Sequence, residues 1–588
     1  MLLTLLAALS VTAPEAPARD LASLVPADSV FVFRGHDLAS LRQRSEGNSW
    51  RRLFADPEFD PLTERLGSMD WAERVFDGET PSILPHLSTL LAAADELVFY
   101  AALPEGPAGT SLATLLLDYA PEDAAANEAT ESVARALNAE MGAREAAAPA
   151  GMTGAVYAGD GYRLFQRAGL LALVVAPDRL EDRDASTAAE FARVLHGLGG
   201  PAADGRTPAR FADVERVRVA RGSSDLPLEL FLDLGGIAER AIFEIEELTD
   251  DWTLALEDMG LPELGILYVG ADVGAGESLD LAFRLDLGEG TALERMLDHT
   301  GRIDLDLLAV VQPEATSVSI LSFDLLGAFQ ELVDMVVEYD PSGGGAEAAL
   351  EMSLLMAEST LGSGVEEILE MFTGSIVSFT VPPSREDLAK LFDMDPTDAD
   401  LPLFDGNVEL YELVDPEGVR DLIGDLLGAF GMAQAVQETE VNGAPAWTLL
   451  VEEDTGVLSW SVQGDYLVTA NFASLIGTQA EHLARLADAT DSPRPDPRYA
   501  GLRKAAEGAL AVSYVDSRAM AEQVLAVFSG LGPLLALEDL GDDDTELFEL
   551  LLDLPWPDPA IVATYLEGQI VSRTARHGSV VESISRAR

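Results

Sequence analysis

Short apolar runs bounded by proline and glycine alternate with longer amphipathic stretches along this chain. The run that sets the pattern is Leu24-Val25-Pro26-Ala27-Asp28-Ser29-Val30-Phe31-Val32-Phe33, followed by Asp37-Leu38. It reads as a proline stop, a short strand and a helix start. The same order returns at Val311-Gln312-Pro313-Glu314-Ala315-Thr316-Ser317-Val318-Ser319-Ile320, with Asp324-Leu325 at the same spacing.

In chain order, a helix-prone region follows at 38–94, broken by Pro57, Pro61, Pro81 and Pro85. Strands are expected at 96–103 and 111–119, then a helix from Pro121, a residue suited to a first helical turn, to about Met141. Thr153-Gly154, Asp160-Gly161 and Ala168-Gly169 separate short apolar runs, the signature of tight hairpin turns. A helix near 187–196, a strand at 228–232 ending at Asp233 and an acidic helical stretch at 237–259 come next. Two closing strands at 265–270 and 279–287 complete the half. In the second of these, Leu279, Leu281, Phe283, Leu285 and Leu287 alternate with Asp280, Ala282, Arg284 and Asp286, which predicts one buried and one solvated face.

After Asp324 the order repeats. A helical region to Met371 is interrupted by Ser342-Gly343-Gly344-Gly345. Strands at 375–381 and 408–413 precede a helix from Pro416 to about Phe430. Turns are expected at Asn442-Gly443, Thr455-Gly456 and Gln463-Gly464, and Leu458, Trp460 and Val462 alternate with Ser459 and Ser461. A helix at 474–486, a strand at 511–515 ending at Asp516, and a final strand pair from Ile561 to about Ile584 close the chain. The same sequence of signals with slightly different spacings is what loop insertions between two copies of one unit produce. The expectation is an α+β fold of two tandem halves, 19–300 and 301–588, each a largely antiparallel sheet with helices packed on it. Edge-to-edge pairing of the halves into one sheet would protect exposed edges.

The strand–Asp–helix unit occurs at Asp37, Asp233, Asp324 and Asp516. Four acidic ligands on one rim is one reading. Helix capping, where each carboxylate accepts a first-turn N–H, is the simpler one and is preferred.

Residues 1–18 read as a secretory signal peptide, with an apolar run from Leu2 to Val11 and a small-x-small Ala16-Pro17-Ala18, although its start carries no Lys or Arg. Export is therefore expected. No later stretch has the length and apolarity of a transmembrane helix; the nearest, 524–537, contains Gly530, Gly532 and Pro533. The net charge of −65 argues against nucleic acid and anionic membrane surfaces as partners. It fits an acidic, salt-tolerant surface, with weak divalent-cation binding as the sharper alternative. The only lysines are Lys390 and Lys504. With no cysteine, disulfides, thiol nucleophiles and thiolate metal sites are excluded.

Chemistry-bearing motifs are sparse. His36, His86, His196, His299, His482 and His577 are isolated, so no helical metal pair exists, and His86 and His196 are expected on packed helix faces. Gly362-Ser363-Gly364 lacks nucleophile-elbow spacing, and no phosphate-binding loop is present. Asp393-Met394-Asp395-Pro396-Thr397-Asp398-Ala399-Asp400 resembles a calcium loop in composition but lacks its glycine and distal glutamate. That cluster and Asp542-Asp543-Asp544 with Glu546 are read as solvated acids. Met352, Met356 and Met371 recur with Leu355 on a helical face, expected as core and alternatively as a soft ligand surface. Arg573, Arg576, Arg586 and Arg588 form a basic ending, expected to neutralise neighbouring acids. No residue is assigned as catalytic, cofactor-binding or metal-ligating, and no cofactor is implied.

The stretch 21–33, and less closely 308–320, resembles the duplicated motif of a family of large exported bacterial proteins of unknown function. The resemblance implies export and a duplicated α+β unit and transfers no catalytic residue. The functional expectation is a non-catalytic binding or scaffolding protein at the cell surface or in the periplasm. A carrier holding an apolar ligand between sheet and helices is the alternative. A carboxylate-dependent hydrolase comes third.

Overall fold

A computed structural model describes residues 21–62, 84–102, 112–141, 144–146, 148, 152–159, 161–176, 183–198, 211, 214–222, 224–238, 260–339, 345–391, 405–429, 435–452, 455–487, 496–530 and 555–587. The 1–18 segment, the acidic clusters at 393–400 and 542–546, Ser342-Gly343-Gly344, most of 237–259 and the 531–537 part of 524–537 lie outside them.

Among the described residues, ten strands come from the first half: β1 (Ser29–Gly35), β2 (Ala94–Ala102), β3 (Leu112–Tyr119), β4 (Arg144–Ala146), β5 (Ala155–Gly159), β6 (Tyr162–Arg167), β7 (Leu170–Val175), β8 (Leu228–Asp233), β9 (Ile266–Val273) and β10 (Leu279–Asp286). Ten come from the second: β11 (Ser317–Ser322), β12 (Phe372–Val381), β13 (Gly406–Leu413), β14 (Val436–Val441), β15 (Ala444–Glu452), β16 (Thr455–Gln463), β17 (Tyr466–Ala470), β18 (Ala511–Asp516), β19 (Gln569–His577) and β20 (Val580–Ala587). Every pairing between these strands is antiparallel, and helices pack on the sheet, so the fold is α+β. The first ten lie in the order β4-β5-β6-β7-β3-β2-β1-β8-β9-β10. The second ten lie in the order β14-β15-β16-β17-β13-β12-β11-β18-β19-β20, the same order ten strands later.

The two sets meet along β10 and β20, from Leu279 opposite Ala587 to Asp286 opposite Val580. One continuous sheet results, and edge strands that would otherwise be open are paired. A second joint is apolar. Leu53, Phe59 and Leu62 of the first half pack with Ala521, Leu525, Val562 and Leu566 of the second.

Helices cover both faces. One face of the first half buries Val32, Val98, Leu116, Phe231 and Tyr268 under the helices Arg183–Gly197 and Glu215–Arg221. The other buries Leu97, Leu117 and Leu171 under Leu38–Ser45, Leu84–Ala93 and Ala124–Met141. In the second half Val318, Ile320, Val377 and Val512 pack under Ala473–Ala487 and Ala500–Ala505. The expected hairpins form at 168–169 and 442–443, and β5 runs antiparallel to β6 with Gly159 opposite Tyr162. Asn442 and Gly443 both hold positive φ, 53° and 81°, as a two-residue turn with the right-handed strand twist requires.

Several expectations are corrected. Strand β10 is not solvated on its Ala282/Arg284 side: the helix Glu215–Arg221 lies over it, leaving Ala282 and Arg284 buried and Phe283 42% exposed. Thr455-Gly456 is no turn, because β16 already begins at Thr455. Residues 559–564 form a 3₁₀ turn, Pro559–Thr564, capped by Asp558, so the last strand pair starts only at Gln569. Pro121 precedes its helix, and Asp123 caps it by accepting the Ala126 N–H at 2.9 Å.

Candidate functional site

Antiparallel pairing of β1 with β8 and of β11 with β18 sends Asp37 and Asp233, and likewise Asp324 and Asp516, to opposite ends of their strand pairs. The four aspartates therefore share no rim. Asp233, Asp324 and Asp516 cap helices, accepting the N–H groups of Gly236, Gly327 and Ala519 at 3.1, 3.0 and 2.9 Å. Asp37 does not: its backbone is left-handed, φ 51° and ψ 36°, and its side chain makes no cap bond.

The densest buried polar cluster is one that no sequence motif marks. Arg34 of β1 sits between Glu96 of β2 and Glu229 of β8, with nitrogen–oxygen distances of 3.4 and 3.5 Å. The two carboxylates are only 2% and 1% exposed. Glu229 also accepts from Arg221 Nε at 2.8 Å and from the Tyr268 hydroxyl at 3.3 Å, and Glu96 accepts the Leu21 N–H at 2.9 Å. The Arg284 guanidinium lies over the Tyr268 ring, 5.5 Å from its centroid, and pairs with Glu582 of β20 at 2.5 Å. Burial, with Glu229 beside it, pushes the Tyr268 hydroxyl well above the usual tyrosine range. Glu96 and Glu229 are each held by two or more donors, which is what offsets the burial of charge. The cluster crosses β2, β1, β8, β9, β10 and β20, which are consecutive in the sheet, and so ties strands together.

Two smaller groups are also closed. Tyr100 donates to Glu190 Oε1 at 2.5 Å, and Arg193 bonds both residues at 2.5 and 2.6 Å. Thr316 and Thr380 share a hydroxyl bond at 2.7 Å, and Thr316 donates to Asp405, whose carboxyl burial pushes up. A third group is incomplete. Arg42, 2% exposed, donates to the Ala92 and Ala94 carbonyls at 2.7 Å, leaving Asp95 3.7 Å away with neither carboxylate oxygen hydrogen-bonded. Burial raises Asp95 to about 6, with Arg42 opposing the rise and Asp118 adding to it.

The described histidine side chains do not converge. His36 Nε2 bonds the Leu226 carbonyl at 2.8 Å. His299 lies 3.9 Å from Asp324 and 3.8 Å from Glu331. His482 is held against the Ala309 carbonyl, and burial lowers its pKa. His577 is exposed near Glu582, and His196 is half-buried on its helix. The His86 side chain lies outside the described residues. Among the described residues no three His, Asp or Glu side chains are placed to hold a metal ion, and no helix is long and apolar enough to cross a membrane. Of the basic ending, Arg576 pairs with Glu294 and Asp298, and Arg573 donates to the Glu507 carbonyl.

The methionine face is the main departure from expectation. In the helix Gly345–Leu361, Met352, Leu355 and Met356 are 64, 65 and 63% exposed, and no residue of that helix is buried. Only a stripe of Ala346, Leu350, Leu354, Ala357 and Leu361 is half-covered, toward the helices Leu325–Glu338, Val365–Glu370 and Pro416–Ala429. Met371 alone of the expected set packs inward, against Val419 and Val462. An apolar helix face normally lies against a core. This one has the composition without the cover, and the neighbouring helix adds Leu332 and Val337 at 48 and 41% exposure.

The protein-family comparison and the comparison with curated proteins give no match. Among solved structures, crystal form III of TP0453 aligns with a TM-score of 0.24 at 10% identity, covering 49% of this chain and 90% of that chain. Crystal form IV of TP0453 aligns with a TM-score of 0.24 at 9% identity, covering 46% and 81%. Likeness at that level carries no argument about fold or function.

Proposed function

We propose that this is an exported protein that binds or scaffolds another molecule and turns over no substrate. The observation that carries the reading is the exposed apolar helix around Met352, Leu355 and Met356. Apolar side chains left in water at this density mark an interaction surface. The closed buried clusters support the same reading, since their carboxylates and arginines are engaged with one another. Export is supported by the apolar run at 2–11 and by Ala16-Pro17-Ala18. The shared strand order supports reading 19–300 and 301–588 as two copies of one unit.

A panel of esterase, glycosidase, phosphatase and peptidase substrates tests the non-catalytic reading. No turnover is expected, and saturable hydrolysis abolished by changing one carboxylate overturns it. Intact mass of protein secreted by its native host tests export: a chain beginning at Arg19 is expected, and retention of residues 1–18 defeats it.

A carrier is the second reading, and one observation favours it. Phe283 and Leu321, 42 and 36% exposed, stand in one cross-strand row on the same sheet face, with Ser583, Thr574 and Ala511 between them. Native mass spectrometry showing a lipid released on denaturation would move the assignment to a carrier.

A further inference from the structure

We propose that the exposed face of the helix Gly345–Leu361 docks a cationic amphipathic helix of a partner protein. The inference rests on the binding reading above and names its partner class. Its first ground is the apolar set itself. Met352, Leu355 and Met356 fall at i, i+3 and i+4, a single stripe that an apolar helix face can meet. Methionines suit such a surface because their unbranched side chains adapt to the shape laid on them.

The second ground is charge. From residue 303 to residue 384 the chain has fourteen Asp and Glu and no Lys, Arg or His. Arg295, from outside that span, takes Glu331 and Glu338 at 2.7 and 2.9 Å. Glu347, Glu351 and Glu358, on the exposed helix itself, have no ion-pair partner among the described residues. An apolar stripe flanked by unneutralised carboxylates is complementary to an apolar stripe flanked by Lys and Arg. The same carboxylates disfavour the other occupants. A second copy of this chain would bring like charge to like charge, and an anionic lipid surface would be repelled.

The helix is 17 residues long, so the matching probe is a synthetic amphipathic helix of about 20 residues, Leu on one face and Lys on the other. Binding to the full chain is followed by isothermal titration against a scrambled peptide of equal charge and composition. The scrambled control is essential because a chain of net charge −65 attracts any polycation. Saturable binding of the amphipathic peptide is expected, at least about tenfold tighter than the scrambled one. The triple variant M352S/L355S/M356S should lose that preference while keeping the wild-type melting temperature, since none of the three residues is buried. The triple variant E347Q/E351Q/E358Q should keep the apolar contact and weaken binding mainly at low salt. Equal binding of the two peptides, or a preference that survives M352S/L355S/M356S, overturns the proposal. Self-association abolished by M352S/L355S/M356S overturns it in favour of a second copy. Co-sedimentation with phosphatidylcholine vesicles that depends on the same residues overturns it in favour of a lipid surface. In each of these cases the binding reading survives, and only turnover in the substrate panel removes it.

Discussion

Arg284 and Glu582 face each other across the joint between β10 and β20, Nε to Oε1 at 2.5 Å, in the buried layer beneath the helix Glu215–Arg221. The pair links residues nearly three hundred positions apart and carries the Arg34–Glu96–Glu229 cluster from the first half into the second. Removing the guanidinium with R284M leaves Glu582 facing a low-dielectric layer and should cost about 3 kcal/mol. E582Q should cost less, and the double variant should cost less than the sum of the two. Urea unfolding of all four proteins closes the cycle, and strict additivity would show that the two residues do not couple.

Asp95 supplies a pH dependence with a definite sign. Its carboxyl is raised by burial to about 6, above its unfolded value. The folded protein therefore holds that proton more tightly. The associated stability is fully present below about pH 4 and is lost as pH rises through about 6. At most about 3 kcal/mol is involved. D95N, which needs no proton, should gain on the wild type progressively between about pH 4 and pH 7. A difference in melting temperature that stays flat across that range would remove Asp95 as the cause.

Gly374 is required by contact as well as by conformation. It has φ +83° in an irregular stretch of β12, and a Cβ there would stand 1.7 Å from the Phe323 carbonyl oxygen. Gly464, φ +58°, has nothing within 4 Å of the same position. G374A should therefore cost more than about 2 kcal/mol, and G464A about 1 kcal/mol from backbone strain alone. Chemical denaturation of both variants separates the two effects, and equal losses would deny the clash.

The net charge of −65 makes the fold salt-dependent. Self-repulsion among carboxylates is screened over about 10 Å at 0.1 M salt and about 3 Å at 1 M. The melting temperature should rise between about 10 mM and about 1 M sodium chloride. A flat profile would mean that the acids are already compensated within the fold.

The order of elements, the α+β class and most hairpin positions were legible in the sequence, because they follow from local rules. Pro26 and Pro313 stop the chain before a strand, Asp324 and Asp516 accept first-turn N–H groups, and Asn442-Gly443 takes the positive φ that a two-residue turn needs. Edge-to-edge joining of the halves was legible as a general way to cover edges, though not which strands would meet. Burial was decided by tertiary structure. The alternation in β10 predicted a solvated side, but a helix laid over it buried Arg284, a place the guanidinium tolerates because Glu582 arrives from β20. The methionine stripe reads as core by composition, since no local rule says whether a second surface comes to cover it, and among the described residues none covers Met352 and Met356. The Arg34, Glu96 and Glu229 cluster had no sequence signal. Its members lie far apart in the chain, and only the register of β1 against β2 and β8 brings them onto one face.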